Sequence, residues 1–415
     1  MNGGINMTVK DKNFIKWVKN KFKNSEVLME DLVNFDIENV QNILKFQQTH
    51  PSYTHTPLYN LAHLANYLDV SMIQAKDESQ RFGLNAFKVL GGIYAIAKYI
   101  ANELGEEIEN LSFDKLKKPT VKERIGDVTF ISATDGNHGR GVAWAARELG
   151  FKSVIYMPKG SSLQRLEAIR NEGALADIQE VNYDDTVRIC ARLAEKNGWV
   201  MVQDTAWEGY EEIPLWIMQG YSAMAYEIIE QWEQTSEQPP THIFLQAGVG
   251  SFAAGIAGYF LRVYGEQAPK IVIVEPDQAD CFYQSFITEK GERQFVGGAM
   301  ATEMAGLACG EPNTEAFKLL KCYSNGVLSC NDEIAAVGMR VYGNPIKGDP
   351  SIVSGESGSV TLGVVYYLRK FMKDHSITAD LELNKDARVL VINTEGDTDE
   401  ENYRKIVWDG FLPVQ

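Results

Sequence analysis

Lys88 stands in the segment GLNAFKVLGG (83–92), with Ala86, Phe87, Val89 and Leu90 around it and glycines at both ends. An amine in so apolar a setting loses hydration, which lowers the cost of its neutral form and suits it to forming an imine with an aldehyde. The same ten residues also fit an amphipathic helix whose lysine stem lies on apolar surface while its head reaches water. Two further segments tip the balance towards chemistry. SATDGNHGRG (132–141) and QAGVGSFAAG (246–255) are both of the strand, glycine-turn, helix type that turns backbone N–H groups towards an anion.

In chain order, NAFKVLGG (85–92), ATDGNHGRGVAW (133–144), VQDTAWEGYEEIP (202–214), AGVGSFAAG (247–255) and INTEGDTD (392–399) resemble the pyridoxal-phosphate (PLP) enzymes of the tryptophan synthase β-subunit type, fold type II. Within that group they resemble the diaminopropionate ammonia-lyases. A single glycine loop would say little, whereas five segments in this order are specific to the superfamily.

The resemblance implies roles residue by residue. Lys88 takes the aldehyde of pyridoxal 5'-phosphate and, once the substrate amine has displaced it, removes the Cα proton. Gly248, Val249, Gly250 and Ser251 form the phosphate turn at a helix start. Asn137 meets the phenolic oxygen, and Thr134 with the first N–H groups of the next helix meets the substrate carboxylate. Thr394 faces the pyridine nitrogen, although a threonine there could instead cap a turn. A neutral hydroxyl leaves the ring a weaker electron sink, which suits elimination better than racemisation or transamination. His138 is read as a helix-start residue that fixes its loop.

Asp135 and Asp204 decide the substrate. Similar enzymes acting on serine or threonine usually carry a small neutral residue where Asp135 stands, and a buried carboxylate there favours a cationic β-substituent. Asp204 adds a second negative group, and Asp135 could also act as a base opposite Lys88 or simply cap the helix that begins near 138. The implied reaction is α,β-elimination of 2,3-diaminopropionate to pyruvate and two ammonia. The alternatives are a serine/threonine dehydratase, a cysteine-synthase-like β-replacement enzyme, and, from another class, a non-catalytic amino-acid-binding protein of the same fold.

The elements that must position these residues follow from the pattern after about residue 127, where β-rich runs alternate with amphipathic helical stretches. DVTFIS (127–132), SVIYMP (153–158), ADIQEV (176–181) and WVMVQD (199–204) form one group of strands. HIFLQA (242–247), KIVIVEP (270–276), VLSC (327–330) and RVLVIN (388–393) form a second, and their continuous apolar character fits strands covered on both faces. A helix over 215–232 and the polar TSEQPPT stretch (235–241) mark the passage between them. The expectation is two open twisted α/β domains of PLP fold type II with the cofactor in the cleft: 1–86 with 213–415 as the large domain, 87–212 as the small one.

Composition bounds the rest. With 415 residues and 45% hydrophobic content the chain can bury two cores, and a net charge of -16 disfavours nucleic-acid or anionic-membrane partners. Cys190, Cys281, Cys309, Cys322 and Cys330 lie far apart without a CxxC pair, which argues against a zinc site and reads as buried thiols, with a Cys281–Cys309 pair left open. Residues 10–24 carry six lysines among Phe14, Ile15, Trp17, Val18 and Phe22 and are expected to form a surface helix rather than a targeting segment. The most apolar stretch, 247–261, is read as a buried helix and not a membrane span. A cytoplasmic protein acting on a small amino acid is expected, and the resemblance implies a homodimer.

Overall fold

The computed structural model describes residues 14–235 and 238–414. Its strands, in chain order, are β1 (Ile15–Lys19), β2 (Leu58–Asn60), β3 (Met72–Asp77), β4 (Thr129–Ala133), β5 (Lys152–Met157), β6 (Leu175–Ile178), β7 (Val200–Met201), β8 (His242–Gln246), β9 (Lys270–Pro276), β10 (Gly326–Cys330) and β11 (Arg388–Asn393). They build a seven-stranded sheet in the order β1-β10-β9-β8-β11-β3-β2 and a four-stranded sheet in the order β6-β5-β4-β7. The five inner strands of the large sheet run parallel, as do all four of the small one, while β1 and β2 join the large sheet antiparallel.

The parallel strands have the composition that double coverage demands: every residue of β8 and β10 is buried, as is every residue of β9 after Lys270. The two strand groups foreseen from periodicity fall in the two separate sheets, with β2 and β3 contributed by the segment before residue 86. Together with the structural likeness reported below, this is the α/β architecture of PLP fold type II.

One expectation is corrected. The described part of the 10–24 segment is an extended strand, not a helix: Ile15 to Lys19 pair in register with Cys330 to Gly326. Phe14 and Ile15 pack into the core while Lys16 and Lys19 remain exposed. Long-range pairing with β10 overrides the local helical spacing of the apolar residues. Residues 10–13 of that segment lie outside the described residues, and so do Ser236 and Glu237 of the polar stretch between the strand groups.

Three helices carry the site. Val89–Leu104, Asn137–Glu148 and Glu212–Thr235 approach so closely that small residues are required where they touch. A Cβ on Gly91 would lie 2.6 Å from the Tyr221 ring, one on Gly220 2.6 Å from the Leu90 carbonyl, and one on Gly141 2.9 Å from Val89 Cα. The first of these helices begins directly after Lys88, so this junction fixes where the lysine starts its reach. One apolar cluster runs from Phe130 and Ile155 under the small sheet, through Leu90, Ile93 and Ile217, to Ile243, Leu245 and Ile271 under the large one. The apolar 247–261 stretch is the core of the buried helix Ser251–Tyr264, and no described helix is long and apolar enough to cross a membrane. All five cysteines are free, Cys281 and Cys309 included.

Candidate active site

Lys88 points into a chamber between the sheets, where its Nζ donates to Asp204 Oδ2 at 3.0 Å. Burial alone would favour the neutral amine. The Asp204 carboxylate, helped by Asp135, outweighs it and holds the Lys88 ammonium well above its ordinary pKa. Burial likewise pushes the Asp204 carboxyl up, but Lys88 and then His138 bring it well below the usual range. The sequence-based picture of an amine made neutral by apolar neighbours is therefore corrected. Phe87 and Val89 do desolvate the lysine, yet its charge state is set by a partner 116 residues away.

Asp204 is held rigidly. Its Oδ1 accepts from the Tyr183 hydroxyl at 3.1 Å and from Gln203 Nε2 at 3.2 Å. Gln203 Oε1 in turn accepts from Ser132 Oγ and the Ala133 N–H, tying the β7 exit to the end of β4. His138 is buried beneath this pair, with Nε2 2.9 Å from the Val202 carbonyl and Nδ1 4.0 Å from Asp204 Oδ2. A carbonyl can only accept, so Nε2 carries the proton and His138 anchors its loop to the β7 exit.

Opposite Lys88 lies the Gly248–Ser251 turn, all four of whose residues line the chamber. Gly250 has φ +95, a left-handed conformation, and a Cβ there would meet Phe282 at 2.5 Å, so no other residue type fits. It is the N-cap of Ser251–Tyr264, and no side chain caps that helix start. Its first N–H groups are left for an anion. The Ser251 side chain turns away, donating to the Asp204 carbonyl and accepting from Asn313 Nδ2 at 2.9 Å.

The Thr134–Asn137 loop is held by a side chain of its own. Thr134 is buried, lines neither the chamber nor the open cleft, and its Oγ1 accepts from the N–H groups of Gly136 and Gly139, both at 2.9 Å. It therefore shapes the loop, and its hydroxyl proton is left to donate. Asp135 makes no capping bond to the helix after it, which excludes the capping alternative, and it faces the open cleft. Asn137 lines the chamber with its Nδ2 donating to Glu395 Oε2 at 2.5 Å. Thr394 also lines the chamber, and its Oγ1 accepts from Gln246 Nε2 at 3.1 Å. That leaves the Thr394 proton to donate.

Several chamber and cleft residues were not foreseen. Gln246 ends β8, and Glu395 accepts from both Asn137 and the Ser357 N–H. Tyr221 lines the chamber from the Glu212–Thr235 helix, while Arg165 and Glu356 line a cleft of about 980 Å³ that opens beside Asp135. Glu395 was in view within INTEGDTD and Gln246 within QAGVGSFAAG; Tyr221, Arg165 and Glu356 sit in ordinary helical sequence, where nothing local marks them.

The residues present fit pyridoxal phosphate. A lysine amine is available for the aldehyde, a sterically obligatory glycine turn opens an uncapped helix for the phosphate, and Thr394 can donate to a ring nitrogen. Buried polar atoms on the chamber wall, Tyr221 Oη and Gln246 Oε1, have no partner among the described residues, as expected where a polar ligand is to be met.

Residues 50–395 match the family model described as pyridoxal-phosphate dependent enzyme, which sets the class of the protein. The diaminopropionate ammonia-lyase of Salmonella typhimurium (strain LT2) is 52% identical over 369 residues, covering 89% of this chain and 91% of the relative. That of Escherichia coli K12 is 52% identical over 366 residues, with 88% and 90% covered. The solved holo structure of diaminopropionate ammonia-lyase from Escherichia coli superposes with a TM-score of 0.89 at 48% identity, over 97% of this chain and 98% of that one. The chain belongs to the diaminopropionate ammonia-lyases and is a pyridoxal-phosphate dependent lyase. The Escherichia coli enzyme has also been solved with D-serine and with an aminoacrylate-PLP azomethine reaction intermediate, at TM-scores of 0.89 and 0.88.

Proposed function

We propose that the chain converts 2,3-diaminopropionate and one water to pyruvate and two ammonia, with Lys88, Asp135 and Asp204 as its reacting and charge-setting groups. The observation that carries this reading is the concentration of carboxylates beside Lys88: Asp204 at 3.0 Å, Asp135 at the cleft wall, and Glu395 and Glu356 behind it. A substrate whose leaving group is an ammonium gains from that field, whereas the hydroxyl of serine or threonine gains nothing.

When bound, pyridoxal phosphate supplies the sink that stabilises electrons left at Cα. Lys88 is the attachment point for its aldehyde, and the Gly248–Ser251 turn with the helix start receives its phosphate. Asn137, oriented by Glu395, would meet the phenolic oxygen. Thr394, its lone pair engaged by Gln246, would offer its proton to the ring nitrogen. The Lys88 amine, when free, would take the Cα proton, and Asp204 strengthens it as a base by favouring the ammonium that results. Asp135 takes the proton from the opposite face, which admits the other enantiomer. Asp204 and Asp135 attract the β-ammonium before it departs.

Residues 87–212 would act as a small body over a large one made of 1–86 and 213–415, since all four strands of the small sheet lie between 129 and 201. We also infer a homodimer working in the cytoplasm, on the family resemblance alone.

The test is stoichiometric. Two ammonia per pyruvate from 2,3-diaminopropionate supports the reading, while one ammonia per pyruvate from serine with no turnover of the diamine overturns it. Asp135→Asn should remove activity on one enantiomer by about 10²-fold and spare the other; small and equal losses on both would dismiss Asp135 as a base.

A further inference from the structure

Glu395 is 2% exposed, and the groups that bond to its side chain are all donors. Asn137 Nδ2 donates to its Oε2 at 2.5 Å, and the Thr398 hydroxyl reaches the same oxygen at 3.4 Å. The Ser357 N–H donates to Oε1 at 3.1 Å. Each oxygen thus has a donor of its own, and only an acceptor at both positions satisfies them. A carboxylate is such a group; a carboxamide of the same shape accepts at one end and donates at the other.

The two main donors come from different parts of the fold. Ser357 lies in the first turn of the helix Glu356–Phe371, whose N-cap Gly355 offers no side chain to it. Asn137 opens the helix that follows β4 of the small sheet. The Glu395 backbone is pinned as well: it bridges to Ala86, the Phe87 N–H donates to the Thr394 carbonyl at 3.1 Å, and the Gly396 N–H donates to the Asn85 carbonyl at 3.0 Å. The carboxylate is therefore a fixed point tied to the Lys88 segment, and the Asn137 amide must orient against it. Because that carboxylate accepts, Asn137 turns its nitrogen towards it and not its oxygen. Nδ2 carries a second hydrogen that no described residue takes, and Asn137 lines the chamber.

We propose that Glu395 is a positioning residue that acts through Asn137: it fixes the amide so that an N–H, not the carbonyl oxygen, is presented to the phenolic oxygen of the cofactor. This rests on the assignment of Asn137 to that oxygen made above and adds what decides the sense of the contact. Glu395→Gln removes the decision. Its new amide gives oxygen to the Ser357 N–H and nitrogen to Asn137, and the Asn137 amide turns over to offer oxygen in return.

The experiment titrates the absorbance of the bound cofactor against pH in the wild-type holoenzyme, Glu395→Gln, Asn137→Ala and the double variant. A donor at the phenolic oxygen stabilises its negative charge most when the adjoining Lys88 linkage has lost its proton, so removing that donor raises the pH at which the absorbance changes. Glu395→Gln should move that pH up by about one unit, Asn137→Ala should do the same, and the double variant should match Asn137→Ala alone. Loss of a nearby negative charge acting by itself would move it down. A downward shift therefore overturns the proposal, as does no shift, which would leave Glu395 a partner of the helix start only. Shifts that add in the double variant overturn it too, because Glu395 would then act by another route. Glu395→Asp keeps the charge and draws the oxygens back from Asn137, so it should also shift upward, and it decides should Glu395→Gln not accumulate as folded holoenzyme. Failure of the Asn137 assignment has a different signature: Asn137→Ala would titrate as the wild type does.

Discussion

Two lysines among the described residues meet buried carboxylates, Lys76 wholly buried and Lys88 half-buried, and they differ in their surroundings. Lys76 Nζ lies 2.8 Å from Glu227 in a cluster with Arg81 and Glu78 whose four side chains are wholly excluded from solvent. Its charges balance, and Thr56 and Gln231 take up further donors. Burial lowers the Lys76 pKa despite Glu227, and Arg81 competes for the same acid. Lys88 has nearly the same contact distance, 3.0 Å, but among the described residues no other lysine or arginine pairs with Asp204, and its ammonium is held up. A closed, satisfied network holds elements of the fold together. An open one with surplus negative charge is prepared for a cation from outside.

Substitutions can break this contrast. Lys88→Ala should abolish elimination, by at least about 10³-fold, and borohydride should no longer fix cofactor to the chain, while the melting temperature in the absence of cofactor stays close to wild type. Glu227→Ala should do the reverse, leaving Lys76 and Arg81 unpaired in the core at a cost of about 3–5 kcal/mol in denaturant unfolding, with normal turnover per folded molecule. If Glu227→Ala instead lowers turnover without loss of stability, the division between the clusters is wrong. Asp204→Asn should lower kcat by about 10²-fold and shift the pH–rate profile to lower pH, because Lys88 loses the charge that holds its proton.

The smallest effect sharpens the comparison at the cleft. Burial raises the Glu356 carboxyl from 4.5 to about 7, with Arg165 only partly offsetting it. A folded-state pKa above the unfolded one means stability fully present below about 4.5 and lost as pH rises through about 7. Glu356→Gln should therefore flatten the pH dependence of stability across that window, by up to about 1.4 kcal/mol per pH unit. An unchanged slope would show that another buried acid, such as Asp184, also raised to about 7, governs it.

What was legible in the chain was local. Lys88, the Gly248–Ser251 turn and the Asp135–Asn137 loop are each contained in a run of about ten residues, and all three border one chamber or its open cleft. Alternation of apolar runs with amphipathic stretches separated the two sheets, because parallel strands covered on both faces need continuous apolar sequence. What depended on distant pairing was not legible. The charge on Lys88 is set by Asp204, and β1 is a strand because β10 is beside it. Thr134 adds a role that its motif did not announce: its oxygen accepts from two neighbouring N–H groups and so sets the shape of the loop.

The apolar cluster that passes unbroken from Phe130 to Ile271 has a further consequence. Neither sheet can shed its partner without exposing the helices between them, so heat or denaturant should take the molecule apart in one cooperative transition. A fragment of residues 87–212 made alone would show a large sticky face instead of a miniature of the native half. Rearrangement during turnover is then confined to segments lying over this cluster, and the loops at the cleft are where exchange of solvent amide protons should be fastest.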